Sequence, residues 1–234
     1  MKKAKKLNSD GKYTVSIILI LLFFYFSENA FAQTEYGTWH PAPKKDFETW
    51  AGASFEKKLR NKTFIIVAPK IRFNKNSSDF KSFFSNFNIY YRYKKYLRFS
   101  FCYRITRDLN EYFHRFYGQV FYKNEIIKNL RFTYRGRIER EYSSRNLPDN
   151  AFRNKIVLDY KFSKTINPFF ASEIIYKIHY KGNHFNKIRF DFGFVFDLGK
   201  RKELSLFYRY QKEINERSPL QTNIIGINYA YSFK

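Results

Sequence analysis

Charged side chains recur at every second position along several stretches in the second half of this 234-residue sequence. Arg135, Arg137 and Glu139 form one such series, and Arg189 with Asp191 forms another. Because a β-strand sends successive side chains to opposite faces, each series would lie on one face of its strand. Guanidinium groups and carboxylates that share a face can pair with each other, and unpaired guanidinium groups can bind an anion.

Nine residues share this inward parity on five adjacent predicted strands, and two interpretations of them are open. They could form a charged constriction that selects or binds an anionic solute or a lipid headgroup. They could instead form a paired Arg–Glu lattice that fills and rigidifies a narrow barrel, because buried charges persist when they are paired. The lattice is favoured, since bulky inward residues such as Tyr90, Tyr117, Phe121 and Phe207 would crowd the lumen. The predicted cluster is Arg135, Arg137, Glu139, Arg153, Glu173, Arg189, Asp191, Arg209 and Gln211.

The sequence shows no recognisable catalytic or metal-binding spacing. The histidines are His40, His114, His179 and His184, and none is followed two residues later by Ser. These scattered histidines and the single Cys102 match no metal-site pattern, and no glycine-rich phosphate loop is present. We therefore predict no catalytic residue, metal or cofactor. The alternative is an outer-membrane enzyme acting on lipid or peptide at the barrel rim, because a Ser nucleophile can find its base through space.

Large apolar residues alternate with polar residues along nearly the whole chain, most regularly in the stretch 186–233. This period of two predicts β-strands that have one apolar and one polar face. We predict twelve strands, at 35–41, 46–58, 62–73, 83–94, 96–106, 112–123, 128–142, 151–162, 167–180, 185–198, 202–214 and 221–233.

Short basic turns alternate with more varied loops between the predicted strands. Bacterial outer-membrane barrels show this asymmetry, with short turns in the periplasm and longer loops outside. An even strand count then requires the short strand 35–41, and its pairing with strand 221–233 would leave no open edge. The predicted fold class is all-β, an antiparallel up-and-down transmembrane β-barrel of twelve strands, within a range of ten to twelve.

A soluble sandwich would alternate in the same way with its faces reversed, so parity alone does not distinguish the two folds. An aromatic content of 22% and tyrosines near strand ends are typical of membrane-interface girdles. Strands of twelve or more residues exceed the usual ~5–6 residues of soluble sheets. These features favour the membrane barrel.

The N-terminal residues have the pattern of a signal peptide. A lysine-rich leader precedes the apolar run 17–26, and Ala30-Phe31-Ala32 predicts cleavage before Gln33. The apolar run is too short to cross a bilayer as a helix, which takes ~20 residues. The predicted domains are a signal peptide at 1–32 and an outer-membrane β-barrel at 33–234, in a Gram-negative bacterium.

The formal charge of +24 could indicate a nucleic-acid-binding protein, but the predicted export argues against that class. Basic residues concentrate in the short turns, so we predict a periplasmic collar that contacts the anionic headgroups of membrane lipids. Solvated turn residues are the alternative. The aromatic C-terminal strand predicts recognition by the barrel-assembly machinery. The collar comprises Lys57, Lys58, Arg60, Lys62, Lys94, Lys95, Lys200, Arg201 and Lys202.

Four short motifs in the second half of the chain resemble those of a known family. They are Arg135-Gly136-Arg137-Ile138-Glu139-Arg140, Ala171-Ser172-Glu173, Asn186-Lys187-Ile188-Arg189 with Gly193, and Tyr208-Arg209-Tyr210-Gln211. The family they resemble is domain-of-unknown-function family 2490, predicted outer-membrane barrel proteins of Gram-negative bacteria. The resemblance extends from about Trp50 to the C-terminus and implies a fold and a location, but no chemistry. The expected role is therefore structural, lipid-contacting or the passage of small anions through a narrow, charged, largely filled lumen.

Overall fold

A computed structural model describes residues 42–109, 111–144, 147–178 and 182–233 of the chain. The described part contains eleven strands, and their bounds differ from the predicted ones by four residues at most. They are β1 (Lys44–Arg60), β2 (Thr63–Asn74), β3 (Asp79–Lys94), β4 (Leu97–Asp108), β5 (Glu111–Ile127), β6 (Leu130–Ser143), β7 (Asp149–Tyr160), β8 (Ile166–Ile178), β9 (His184–Asp197), β10 (Lys202–Glu213) and β11 (Leu220–Ser232). Within the described residues, no helix is long and apolar enough to cross a bilayer.

The strands form a closed barrel in which each pairs with its sequence neighbours and β1 pairs with β11. All sequential pairs are antiparallel, but β1 and β11 are parallel, from Lys44 beside Leu220 to Glu56 beside Ser232. The predicted closure of strand 221–233 by strand 35–41, and with it the purely antiparallel topology, is therefore wrong. A parallel ladder pairs the backbone groups of two edge strands as an antiparallel ladder does. A barrel can therefore close with an odd number of strands. Residues 35–41 and the predicted signal peptide lie outside the described residues.

The connections alternate between the two ends of the barrel. The turn end carries the connections β1–β2, β3–β4, β5–β6, β7–β8 and β9–β10, which span two to five residues. The loop end carries the other five, which span two to six residues, so the predicted difference in length is small. The turn predicted at 124–127 is part of β5, and the chain reverses at 128–129 instead. Because β1 runs parallel to β11, β1 begins at the loop end while β11 ends at the turn end.

The two faces of the wall have opposite polarity. Large apolar side chains lie exposed on the outer face, including Phe192 and Phe194 of β9, which are 53% and 37% exposed. Charged side chains point into the lumen, where Glu48 and Glu173 are only 2% and 3% exposed. The lumen therefore buries charged side chains beside aromatic rings such as Trp50 and Phe84, whereas the interior of a soluble β-sandwich is apolar.

Candidate functional site: the barrel lumen

Glu173 of β8 is the centre of the charged network in the lumen. The guanidinium of Arg153 donates from Nη2 to both carboxylate oxygens at 2.9 Å. Arg189 donates from Nη1 to Oε2 at 3.1 Å, and Arg135 donates from Nη2 to Oε1. One buried carboxylate thus holds together three arginines from β6, β7 and β9.

Two further carboxylates extend this network to either side. Glu139 lies 3.3 Å from Nη1 of Arg153 and 3.4 Å from Nη1 of both Arg137 and Arg115. Asp191 accepts hydrogen bonds at 2.6 Å from Nε of Arg209 and from Nζ of Lys155. We call these residues, with Gln211, the lattice: Arg115, Arg135, Arg137, Glu139, Arg153, Lys155, Glu173, Arg189, Asp191, Arg209 and Gln211.

The structure brings all nine residues of the predicted cluster into the lattice. Gln211 takes part by accepting a hydrogen bond from Nε of Arg189 at 2.7 Å. Arg115 and Lys155 were not in the predicted cluster, although both have inward parity on β5 and β7. Seven basic side chains share these three carboxylates, and Arg115 also pairs with Glu141, so pairing leaves an excess of positive charge.

A different arrangement occupies the wall formed by β1 to β4, which we call the ring sector. The Arg72 guanidinium lies 4.3 Å from the ring centroids of both Trp50 and Phe84. Arg104 also lies 4.3 Å from the Phe84 centroid, and Lys70 lies 5.7 Å from that of Trp50. Among the residues that the structure describes, none of these three cations has a carboxylate within ion-pair distance.

The hydrogen bonds of the ring sector leave donors free. Arg104 donates from Nε to Oδ1 of Asn86 at 2.7 Å. The buried Nε of Arg72 has no hydrogen-bond partner among the described residues, and the same holds for Nε of Arg135 in the lattice. A buried charged donor without a partner costs free energy, so these groups are suited to an acceptor that is not part of the protein.

The lattice and the ring sector line one cavity of about 440 Å³. Its walls run from Asp108 and Glu141, near the loop end, to Lys70 and Arg209 in mid-strand. Twelve of its lining residues are Lys or Arg and four are Asp or Glu. A cavity of this size is large enough for a small ligand, and its charge favours an anion.

Towards the turn end, aromatic side chains narrow the lumen. Phe64 and Tyr90 stack at 4.7 Å between centroids, and Arg98 lies 4.8 Å from the ring of Tyr90. The ring of Phe207 fills the space beside Gly226, where an added Cβ would come within 2.1 Å of it. The lumen is therefore narrower towards the turn end than at the cavity.

The predicted basic collar lies at the turn end. Its nine residues occupy the last positions of β1 and β3, the turns that follow them, the turn between β9 and β10, and the first position of β10. All are exposed except Lys202, which is partly buried. The amine of Lys94 lies over the rings of Tyr93 and Tyr96, at 5.6 and 5.7 Å.

The described histidines lie apart from the charged lumen network. His114 shares a 2.7 Å hydrogen bond between Nδ1 and the hydroxyl of Tyr103, and His184 lies 3.5 Å from Glu216. Cys102 is buried in the wall, 3.3 Å from the Gln119 amide nitrogen. No cluster of three potential metal-ligating side chains occurs within the described ranges.

A protein-family model described as "Protein of unknown function (DUF2490)" matches residues 47–220. This chain belongs to that family. The match includes the lattice and the ring sector but ends at the start of β11, whereas the predicted resemblance continued to the C-terminus. No curated protein matches the sequence of this DUF2490 member.

Solved structures with similar folds include an outer-membrane secretin, a porin and the β-domain of an autotransporter. A bacterial polysaccharide outer-membrane secretin matches with a TM-score of 0.50 and 5% identity, over 70% of this chain and 73% of that one. The NanC porin matches with a TM-score of 0.47 and 13% identity, over 75% of this chain and 94% of the porin. The β-domain of the Bordetella autotransporter BrkA has a TM-score of 0.46 and 9% identity, with coverages of 71% and 79%. At 5% identity the likeness to the secretin concerns the fold alone, a closed β-barrel.

Proposed function

We propose that this DUF2490 protein spans the outer membrane, and that small anions enter its lumen from the loop end, bind there and pass slowly through it. We further propose that the chain is exported, that its signal peptide is cleaved before Gln33, and that the turn end lies in the periplasm. It assigns no chemical reaction to the barrel.

The cavity charge carries this proposal. Lys70, Arg72 and Arg104 line the cavity and lack carboxylate partners among the described residues. The Arg72 guanidinium lies against the rings of Trp50 and Phe84, and because rings do not satisfy its N–H groups, these groups remain to bind a ligand. A guanidinium edge matches the geometry of carboxylate and phosphate oxygens. The best-fitting ligands are therefore compact oxyanions that accept several hydrogen bonds.

The outer surface supports the proposed location. A wall of exposed aromatic and aliphatic side chains around a charged interior is the arrangement expected of a barrel in lipid. In hydrocarbon the closed ladder is required, because an unpaired backbone group there costs several kcal/mol.

Conductance across a planar bilayer tests the proposal. We expect the purified mature protein to give a small conductance in a KCl gradient, with a reversal potential that reports selectivity for Cl⁻ over K⁺. Inorganic phosphate added on the side of the loop end should reduce the Cl⁻ current, since it would occupy the same cations. A cation-selective current, or a large unselective one that phosphate does not change, would contradict the proposed function.

A further inference from the structure

An apolar groove crosses the outer wall of the barrel between β3 and β7. Its volume is about 620 Å³, and two glycines, Gly118 of β5 and Gly136 of β6, lie along it. Gly118 is in register with Phe101 on one side and Ile138 on the other. Because a glycine has no side chain to cover its neighbours, Phe101 and Ile138 remain 60% and 62% exposed. The two glycines thus form the floor of the groove.

A pocket of about 660 Å³ with two basic side chains adjoins this groove at the turn end. It is lined by Arg60, Asn61, Lys62, Thr63 and Tyr91. Tyr91 also lines the apolar groove, so the pocket and the groove meet at its side chain. Arg60 and Lys62 are exposed, and neither forms an ion pair with another described residue.

The path from the pocket along the groove crosses the strands from β2 to β7. Strands in a sheet lie ~4.8 Å apart, so five spacings give a length of about 24 Å. In a barrel the strands tilt by ~35–45°, and a line across them therefore rises obliquely through the wall. One leaflet of hydrocarbon is ~15 Å thick, half of the ~30 Å core. The path is therefore long enough to hold a lipid acyl chain across one leaflet.

The basic pocket and the apolar groove together match the headgroup and an acyl chain of one anionic phospholipid. We propose that a phospholipid with a negatively charged headgroup binds here, with its phosphate on Arg60 and Lys62 and one acyl chain along Gly118 and Gly136. This site rests on the membrane location given under the proposed function, but it does not involve the lumen. Phosphatidylethanolamine carries the same phosphate, but the two basic side chains repel its ammonium group, so the pocket favours a headgroup with net negative charge. The groove then holds the chain of the same molecule.

Native mass spectrometry of the full barrel released from detergent tests the site. We expect one phosphatidylglycerol to remain bound where phosphatidylethanolamine with the same chains does not. The double variant R60E/K62E should lower phosphatidylglycerol retention roughly tenfold, since two attractive charges become repulsive. The matched control K200E/K202E makes the same charge change at the turn between β9 and β10, and it should retain the lipid.

A second pair of variants tests the apolar part of the groove. An added Cβ at Gly118 would meet only a methyl group of Ile138, at 4.0 Å. Gly118→Leu therefore fills the groove without a steric clash at the Cβ. This variant should lower retention as the charge reversal does, whereas Ala53→Leu adds three of the same four carbons to the outer face of β1 and should not. Equal loss in K200E/K202E would show that the whole collar acts without a defined site and would overturn the proposal.

The remaining outcomes separate this inference from the proposed function. A change of oligomeric state in Gly118→Leu with lipid retention intact would assign the groove to a second copy of the chain, and this would also overturn it. A protein that conducts anions but shows no preference for phosphatidylglycerol would refute the lipid site alone. Retention of one phosphatidylglycerol without any anion conductance would refute the lumen proposal and leave the lipid site supported.

Discussion

The lattice and the ring sector hold buried cations on opposite sides of one cavity by different means. In the lattice, Glu139, Glu173 and Asp191 each accept from at least two basic side chains. In the ring sector, Arg72 and Arg104 lie against aromatic rings instead. A carboxylate satisfies the hydrogen-bonding edge of a guanidinium, whereas a ring contacts its face and leaves the edge free.

This difference indicates a division of roles. Removing one partner of a buried ion pair is costly, because the other charge is left uncompensated. The lattice therefore fixes the shape of the barrel interior. The ring sector stabilises its cations only in part, so an incoming anion can complete their coordination. The comparison predicts that stability depends on the lattice and ligand affinity on the ring sector.

The largest effect is expected when the lattice loses its central carboxylate. Glu173→Gln leaves Arg135, Arg153 and Arg189 without their shared charge partner, and we expect the free energy of unfolding to fall by about 3–5 kcal/mol. Urea unfolding in detergent, followed by the loss of the heat-modifiable band on electrophoresis, measures it. Glu203→Gln, at an exposed position on β10, is the control. If the two variants were equally stable, the lattice would not be what stabilises the barrel.

A smaller effect on stability but a large one on binding is expected in the ring sector. Arg72→Met removes two ring contacts and also one uncompensated buried charge, so the unfolding free energy should change by no more than about 1 kcal/mol. Affinity for phosphate should fall by tenfold or more, since a hydrogen bond to a charged group is worth ~1.5–3 kcal/mol. The fluorescence of Trp50, in a Trp39→Phe background, reports binding beside its ring. Arg131→Met, at an exposed pair with Asp159, is the matched control.

The smallest effect concerns salt and should also differ between the two sectors. Raising the ionic strength from 0.1 to 1 M with an unreactive salt shortens the Debye length from ~10 to ~3 Å. Phosphate binding at the open cavity should weaken several-fold, while the unfolding midpoint of the buried lattice should barely move. A parallel loss of stability and affinity with salt would mean that the two sectors do not differ in exposure to solvent.

The strands and the lattice could be predicted from the sequence because they depend on local patterns. Arg135, Arg137 and Glu139 alternate with Gly136 and Ile138, and a period of two fixes the face of each. The lattice also has ordinary register between neighbouring strands, so residues of equal parity meet. Parity would also have found Arg115, two positions before the inward Tyr117.

The ring sector and the barrel closure could not be predicted in this way. Inward positions of β2 include Ile66 and Ala68 as well as Lys70 and Arg72, so polarity does not mark its lumen face. The contact of Arg72 with Trp50 and Phe84 depends on the register of three strands, which no single stretch specifies. The rule of even strand number also predicted a twelfth strand where β1 closes the barrel itself.

The parallel seam between β1 and β11 sets the order in which the barrel can be completed. Every other ladder joins strands that follow each other in a hairpin, and such local contacts form early. The seam instead joins Lys44 to Leu220, which are 176 positions apart. Until it forms, the outer edges of β1 and β11 are open to other chains, so this step is the one most exposed to misassembly. β1 precedes the other ten strands along the chain, and it is among the last to have both of its edges paired.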